Sequence, residues 1–128
     1  MDKVSKEKNN ILMSDSNPNV RKLLLREFLA EGYEVTLAKD GNEVIKWLNN
    51  INKFDLLILD SELLDSRGIF ILKELRESHP DLPVIFHAFS DNNQQLVLEG
   101  TLFIEKGGNS IEHLKYAVKE MLNKKKQS

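Results

Sequence analysis

The chain has 128 residues, 41% of them hydrophobic and 30% charged, the proportions of one globular domain around one apolar core. Its 18 basic and 20 acidic residues leave a net charge of −2, so no overall field draws it to nucleic acid or anionic lipid. Cysteine is absent, which excludes disulfides, thiolate nucleophiles and zinc-thiolate sites. The first ten residues carry no apolar signal region, and no run approaches the roughly 18 apolar residues of a membrane span, so a soluble cytoplasmic protein is expected.

Residues 1–9 read as a flexible N-terminal segment, followed by a domain over 10–123 and a short basic tail over 124–128. Ile11-Leu12-Met13 is the first apolar run of strand type. Asn17 as N-cap, Pro18 at the first helical position and Gly32 past the end predict a helix with Val20, Leu23, Leu24 and Phe28 on one face. Tyr33 to Ala38 alternates apolar with polar, as an edge strand does. Asp40 with Glu43 is a capping-box arrangement for a second helix, with Val44, Ile45 and Leu48 inward and Asn49-Asn50 at its end. Leu56 to Leu59 is a third strand. A helix is expected from about Gly68 to Ser78, with Ile71, Leu72 and Leu75 on one face and Pro80 beyond it. Val84-Ile85-Phe86 forms a fourth strand, Asn92 to Glu99 a short helix of about two turns, and Leu102-Phe103-Ile104 a fifth strand. Asn109 with Glu112 caps the last helix, where Ile111, Leu114, Val118, Met121 and Leu122 recur at helical spacing. Lys124, Lys125 and Lys126 suit the negative end of its dipole.

Five mostly apolar strands alternating with helices imply a doubly wound α/β domain, a parallel sheet with helices on both faces. In such a sheet the carboxyl ends of the strands share one rim, where ligands bind. Ser14-Asp15 follows the first strand, Asp60 ends the third and Glu105-Lys106 follows the fifth, so Asp15, Asp60 and Lys106 are expected to meet. Two adjacent carboxylates repel, and a hard cation such as Mg²⁺, which accepts few protein ligands, relieves them. Such a site supports attack of Asp60 on a phosphoryl donor to form an aspartyl phosphate, with Lys106 on a phosphoryl oxygen.

At these residues the chain resembles the receiver domains of bacterial two-component response regulators, over about Asn10 to Leu122. Asn10 to Pro18 is similar to the family's acidic loop, with Asp15 at the direct metal ligand. Leu56 to Asp60 is similar to its phosphoacceptor strand, and Gly68 falls eight residues later, where the family has glycine. The resemblance implies a flavodoxin-like fold of strand order 2-1-3-4-5, a third metal ligand in the backbone carbonyl of Glu62, and a switch aromatic in Phe103. It also implies phosphotransfer from a sensor histidine kinase or phosphotransfer protein, and signalling to a downstream target protein or output domain, with homodimerisation open. The domain is then a phosphoprotein of phosphorelay signal transduction rather than an enzyme, with at most weak autophosphatase activity.

Four departures bear on that expectation. Ser14 stands where a second acid is usual; a unit charge about 4 Å from a cation is worth roughly 4 kcal/mol gross at an effective dielectric of 20, so Mg²⁺ affinity is expected to weaken. His87 stands at the Ser/Thr switch position and is larger and titratable. Gly107 replaces the proline after the lysine, which leaves a trans bond and a freer turn. From Ala88 to Lys106 the chain is short, which implies a shortened fourth helix. Together these favour an alternative, a degenerate pseudo-receiver that binds proteins without phosphorylation.

Simpler roles exist for each residue: Asp at a strand end forms turns, Phe103 packs a core, and the lysine run is too small to bind nucleic acid. An aspartyl phosphohydrolase would place its nucleophile after the first strand, and a flavin carrier would not put Asp15 in its phosphate loop.

Overall fold

The computed structural model describes residues 8–50, 53–60, 73–89 and 101–127. The expected helix over Asn92 to Glu99, with its shortening, lies outside these residues, as do Glu62, Gly68, Ile71 and Leu72. The described elements are β1 (Asn10–Ser14), α1 (Pro18–Ala30), β2 (Glu34–Ala38), α2 (Gly41–Asn50) and β3 (Leu56–Asp60), then α3 (residues 73–78), β4 (Val84–Ala88), β5 (Thr101–Glu105) and α4 (Ser110–Gln127). The five strands form one parallel sheet in the order β2-β1-β3-β4-β5.

Strand alternation divides the core between the two faces of the sheet. Leu12, Leu57, Leu59, Val84 and Phe86 meet Val44 and Leu48 of α2 and Leu75 of α3 on one face. Ile11, Met13, Leu56, Ile58 and Ile85 meet Leu24 and Phe28 of α1 and Leu114, Val118 and Leu122 of α4 on the other. α1 and α4 are also tied at their surface, where Lys115 Nζ sits 2.7 Å from Glu27 Oε1. β3 and β4, inside the sheet, are buried throughout, whereas β2 and β5 at its edges are partly exposed.

The helix signals act where the sequence puts them, with local differences. Asn17 Oδ1 accepts from Asn19 N at 2.8 Å and Val20 N at 3.4 Å, capping α1. At its other end Gly32 N donates to Leu29 O at 3.0 Å and Tyr33 N to Phe28 O at 3.2 Å, with Gly32 at φ 94°, a complete Schellman motif. Tyr33 therefore closes the helix instead of starting β2, and its ring lies 5.9 Å from that of Phe28. Asp40 Oδ1 accepts from Glu43 N at 3.0 Å, but Glu43 Oε1 takes the amide of Lys39 at 2.8 Å, one residue earlier than a capping box predicts. On α2 it is Trp47 that packs on the core, with Ile45 only half-buried beside the Gly41-Val44-Leu48 stripe.

Asn109 accepts the first helical bond of α4 through its carbonyl, from His113 N at 3.1 Å. No capping bond from its side chain occurs among the described residues, and Glu112 turns instead to Lys115, 3.4 Å away. α4 runs on through Lys124 and Lys125 to Gln127, because lysines are good helix formers and suit the negative end of the dipole.

Gly32 is the described residue whose backbone an L side chain adopts at a cost. Gly32→Ala should lower stability by about 1–2 kcal/mol, read as an earlier urea midpoint with an unchanged slope.

Candidate functional site

β1 and β3 are neighbours at the point where the winding of the sheet reverses, and each ends in an acid: Asp15 just past β1, Asp60 on the last residue of β3. Both side chains are buried. From the far edge, Lys106 extends past the end of β4 and brings its ammonium to 2.9 Å from Asp15 Oδ2 and 2.9 Å from Asp60 Oδ1. The three residues expected to meet do meet, from positions up to 91 apart in the chain. Burial works against the charge on Lys106, but the two carboxylates outweigh it and hold its pKa above the ordinary lysine value. The ring of Phe89, just after β4, lies 5.4 Å from the ammonium, a cation-π contact at the mouth of the site.

The loop between β1 and α1 fixes the acids in place. Asp15 Oδ1 accepts the amide of Asn17 at 2.9 Å, an Asx turn, and Arg21 Nη1 donates to the Asp15 carbonyl at 2.7 Å. Ser16 contributes twice to Asp60 Oδ2, from its amide at 3.0 Å and its hydroxyl at 3.2 Å. Ser14, where an acid is usual, puts Oγ 3.4 Å from the Asp60 amide, which donates to it. Its hydroxyl thus braces the β3 backbone and adds no charge. Ser16 and Arg21 were not singled out from the sequence; the signal for Ser16 was its place between Asp15 and the Asn17 cap.

Asp15 Oδ2 is buried, faces the Lys106 ammonium at 2.9 Å and has no other polar partner among the described residues, so it keeps lone-pair capacity to offer a cation. No cluster of three or more acids, histidines or cysteines suited to a metal occurs among the described residues. Two carboxylates fit Mg²⁺, which keeps several waters, better than ions that need a full protein cage.

His87 is the register partner of Asp60, buried on the α1/α4 side of the sheet like Ile85 two residues earlier. Its Nε2 lies 3.0 Å from Ser110 Oγ, and its Nδ1 has no partner among the described residues. Burial, then the Lys106 charge, push its pKa down to about 4, with Asp60 opposing, so it is neutral at pH 7. Phe103 packs against the core on the α2/α3 side, the ordinary role of an aromatic in a strand. The Lys106-Gly107 bond is trans, since the described residues contain no cis peptide.

With this geometry in hand, residues 11–124 match the family model of the response regulator receiver domain. The chain is 30% identical over 112 residues to response regulator MprA of Mycobacterium sp. (strain KMS), covering 88% of this chain and 46% of that protein. It is 34% identical over 87 residues to response regulator RR06 of Streptococcus pneumoniae serotype 2, covering 67% of this chain and 39% of that protein. The chain thus spans less than half the length of either relative. Among solved structures it resembles response regulator protein TrrA of Thermotoga maritima in complex with Mg²⁺-BeF, at TM-score 0.77 and 31% identity, covering 88% of this chain and 97% of that one.

Two predictions follow from the charges. A histidine that titrates at about pH 4 when folded and near 6.5 when unfolded binds more protons in the unfolded chain between those values. Its contribution is complete above about pH 6.5 and is lost as pH falls toward 4, amounting to roughly 2–3 kcal/mol. Urea unfolding from pH 7 to 4.5 should therefore show a steeper loss in the native chain than in His87→Thr. Separately, Lys106→Met leaves two buried acids without their counterion and should cost about 3 kcal/mol in metal-free buffer. Asp60→Asn added to that variant should recover part of the loss, a coupling that a double-mutant cycle measures.

Proposed function

The chain belongs to the response regulator receiver domain family, and from that premise we propose that Asp60 is the phosphoacceptor of a Mg²⁺-dependent transfer. One observation carries the reading: Asp15 and Asp60 converge on a single ammonium, each at 2.9 Å, at the switch point of the sheet. A purely structural domain has no need to gather these charges, because burying them costs free energy that apolar side chains would not.

In the transfer, an Asp60 oxygen attacks phosphorus as the donor's phosphorus-nitrogen bond breaks, and the departing imidazole of the donor histidine takes up a proton. Lys106 leaves its carboxylate partners for a phosphoryl oxygen and offsets the charge that gathers there. Ser16 steadies Asp60 Oδ2 before attack and must yield if that oxygen is the one used. Asp15, Asp60 and the backbone carbonyl of Glu62 are the proposed holders of Mg²⁺, with Ser14 a weak contributor at most. Bound there, the ion supplies orientation of the donor and neutralisation of its oxygens.

The donor is a sensor histidine kinase or a phosphotransfer protein in the cytoplasm, and the phosphorylated domain acts as a signalling phosphoacceptor on a target protein or output domain. A second reading, a pseudo-receiver that binds partners without phosphorylation, is favoured by one feature. His87 is committed to Ser110 and does not present the hydroxyl donor that the switch position usually offers.

Acetyl phosphate with Mg²⁺ should add one phosphoryl group to the native chain and none to Asp60→Asn, as read by intact-protein mass spectrometry. An unmodified native chain that also fails to bind Mg²⁺ on titration overturns the phosphoacceptor and leaves the pseudo-receiver.

A further inference from the structure

The turn from β5 into α4 contains Gly107 and Gly108, and a Cβ on either would meet nothing within 4 Å. No described residue packs where a side chain would sit on these two residues of high backbone freedom. Yet the residue just before them holds an ammonium 2.9 Å from each of two carboxylates. Something else must restrain the turn.

The restraint is polar. On the strand side, Lys106 N donates to the Ala88 carbonyl at 2.8 Å. On the helix side, the Gly107 carbonyl accepts from Ser110 N at 3.1 Å and from Ser110 Oγ at 3.0 Å. Ser110 Oγ in turn lies 3.0 Å from His87 Nε2. Proton counting sets the direction of the chain. A carbonyl only accepts, so the single hydroxyl proton of Ser110 goes to Gly107, and Ser110 Oγ must accept from His87. The His87 proton is therefore assigned to Nε2, which leaves Nδ1 as the lone-pair nitrogen, without a partner among the described residues. Both side chains are shielded, His87 3% and Ser110 5% exposed, so water does not compete for these bonds. His87 itself is anchored in the interior strand β4, between Asp60 and Ile104 in register.

We propose that Ser110 and His87 are positioning residues for Lys106: the chain from His87 Nε2–H to Ser110 Oγ to the Gly107 carbonyl fixes the turn that aims the ammonium at Asp15 and Asp60. The consequence for phosphoryl transfer rests on the reading of Asp60 and Lys106 given above; the aiming of the ammonium does not. Small misplacements of a charge-stabilising group are costly to a transfer that depends on positioning.

The test compares the native chain with Ser110→Ala and Ser110→Thr, the second of which keeps the hydroxyl. Two readouts are used: the side-chain ammonium resonance of Lys106 by NMR, visible when the group is held in hydrogen bonds, and phosphorylation by acetyl phosphate alongside Mg²⁺ titration. In Ser110→Ala the ammonium resonance should broaden away, and the phosphorylation rate should fall about tenfold while Mg²⁺ affinity stays within about twofold. Ser110→Thr should restore both. A resonance and rate retained in Ser110→Ala overturn the proposal, as does a joint fall of rate and Mg²⁺ affinity, which marks general loosening. If the native chain accepts no phosphoryl group, the resonance alone decides: loss in the alanine variant with return in threonine supports the positioning role, and persistence overturns it. Should Ser110→Ala not fold, His87→Leu, which cuts only the first link, is read by the same resonance, with an unchanged signal overturning the role of the chain.

Discussion

Two carboxylates buried at the rim of a sheet, with one ammonium 2.9 Å from each, form the constraint around which the rest of this domain is arranged. Taking an ion out of water costs several kcal/mol, so each of the three must find its partners with little error. The parallel order of β1 and β3 sets the acids side by side, and the Asx turn, Arg21 and Ser16 hold the loop beside them. The lysine arrives from the opposite side, so the turn after β5 has to be as well determined as the strands, despite its glycines.

Charge in the site is set by three residues alone among those described at the sheet rim. Ser14 contributes a hydroxyl that accepts the Asp60 amide and carries no charge. His87 contributes none at neutral pH, because burial and the neighbouring ammonium both disfavour its protonation. The described residues of the site therefore carry a formal charge of −1, one unit less negative than they would with an acid in place of Ser14. That lesser charge bears on any cation drawn to it.

Much of this arrangement was legible in the sequence, because it follows from periodicity. Apolar runs such as Leu56 to Leu59 declared interior strands, and acids or lysines placed just after such runs had to share one edge once the strands ran parallel. What could not be read were contacts that depend on loop geometry: Ser16 on Asp60, Ser110 on Gly107, and Glu43 reaching Lys39 instead of Asp40. Tyr33 shows the same limit. Its β propensity and place in an alternating run suggested a strand, but the left-handed Gly32 before it drew its amide back to Phe28.

The separation of the site residues along the chain has a bearing on biosynthesis. Lys106 lies 46 residues after Asp60, the nearer of its two partners. A polypeptide emerges from the ribosome amino end first, at about 5–20 residues per second. β1, β2 and β3 can therefore assemble before the Lys106 ammonium has reached their acids, and the repulsion between Asp15 and Asp60 favours leaving the rim open to water. The ammonium arrives just after the fifth strand, so completion of the charged centre is a late event on the growing chain.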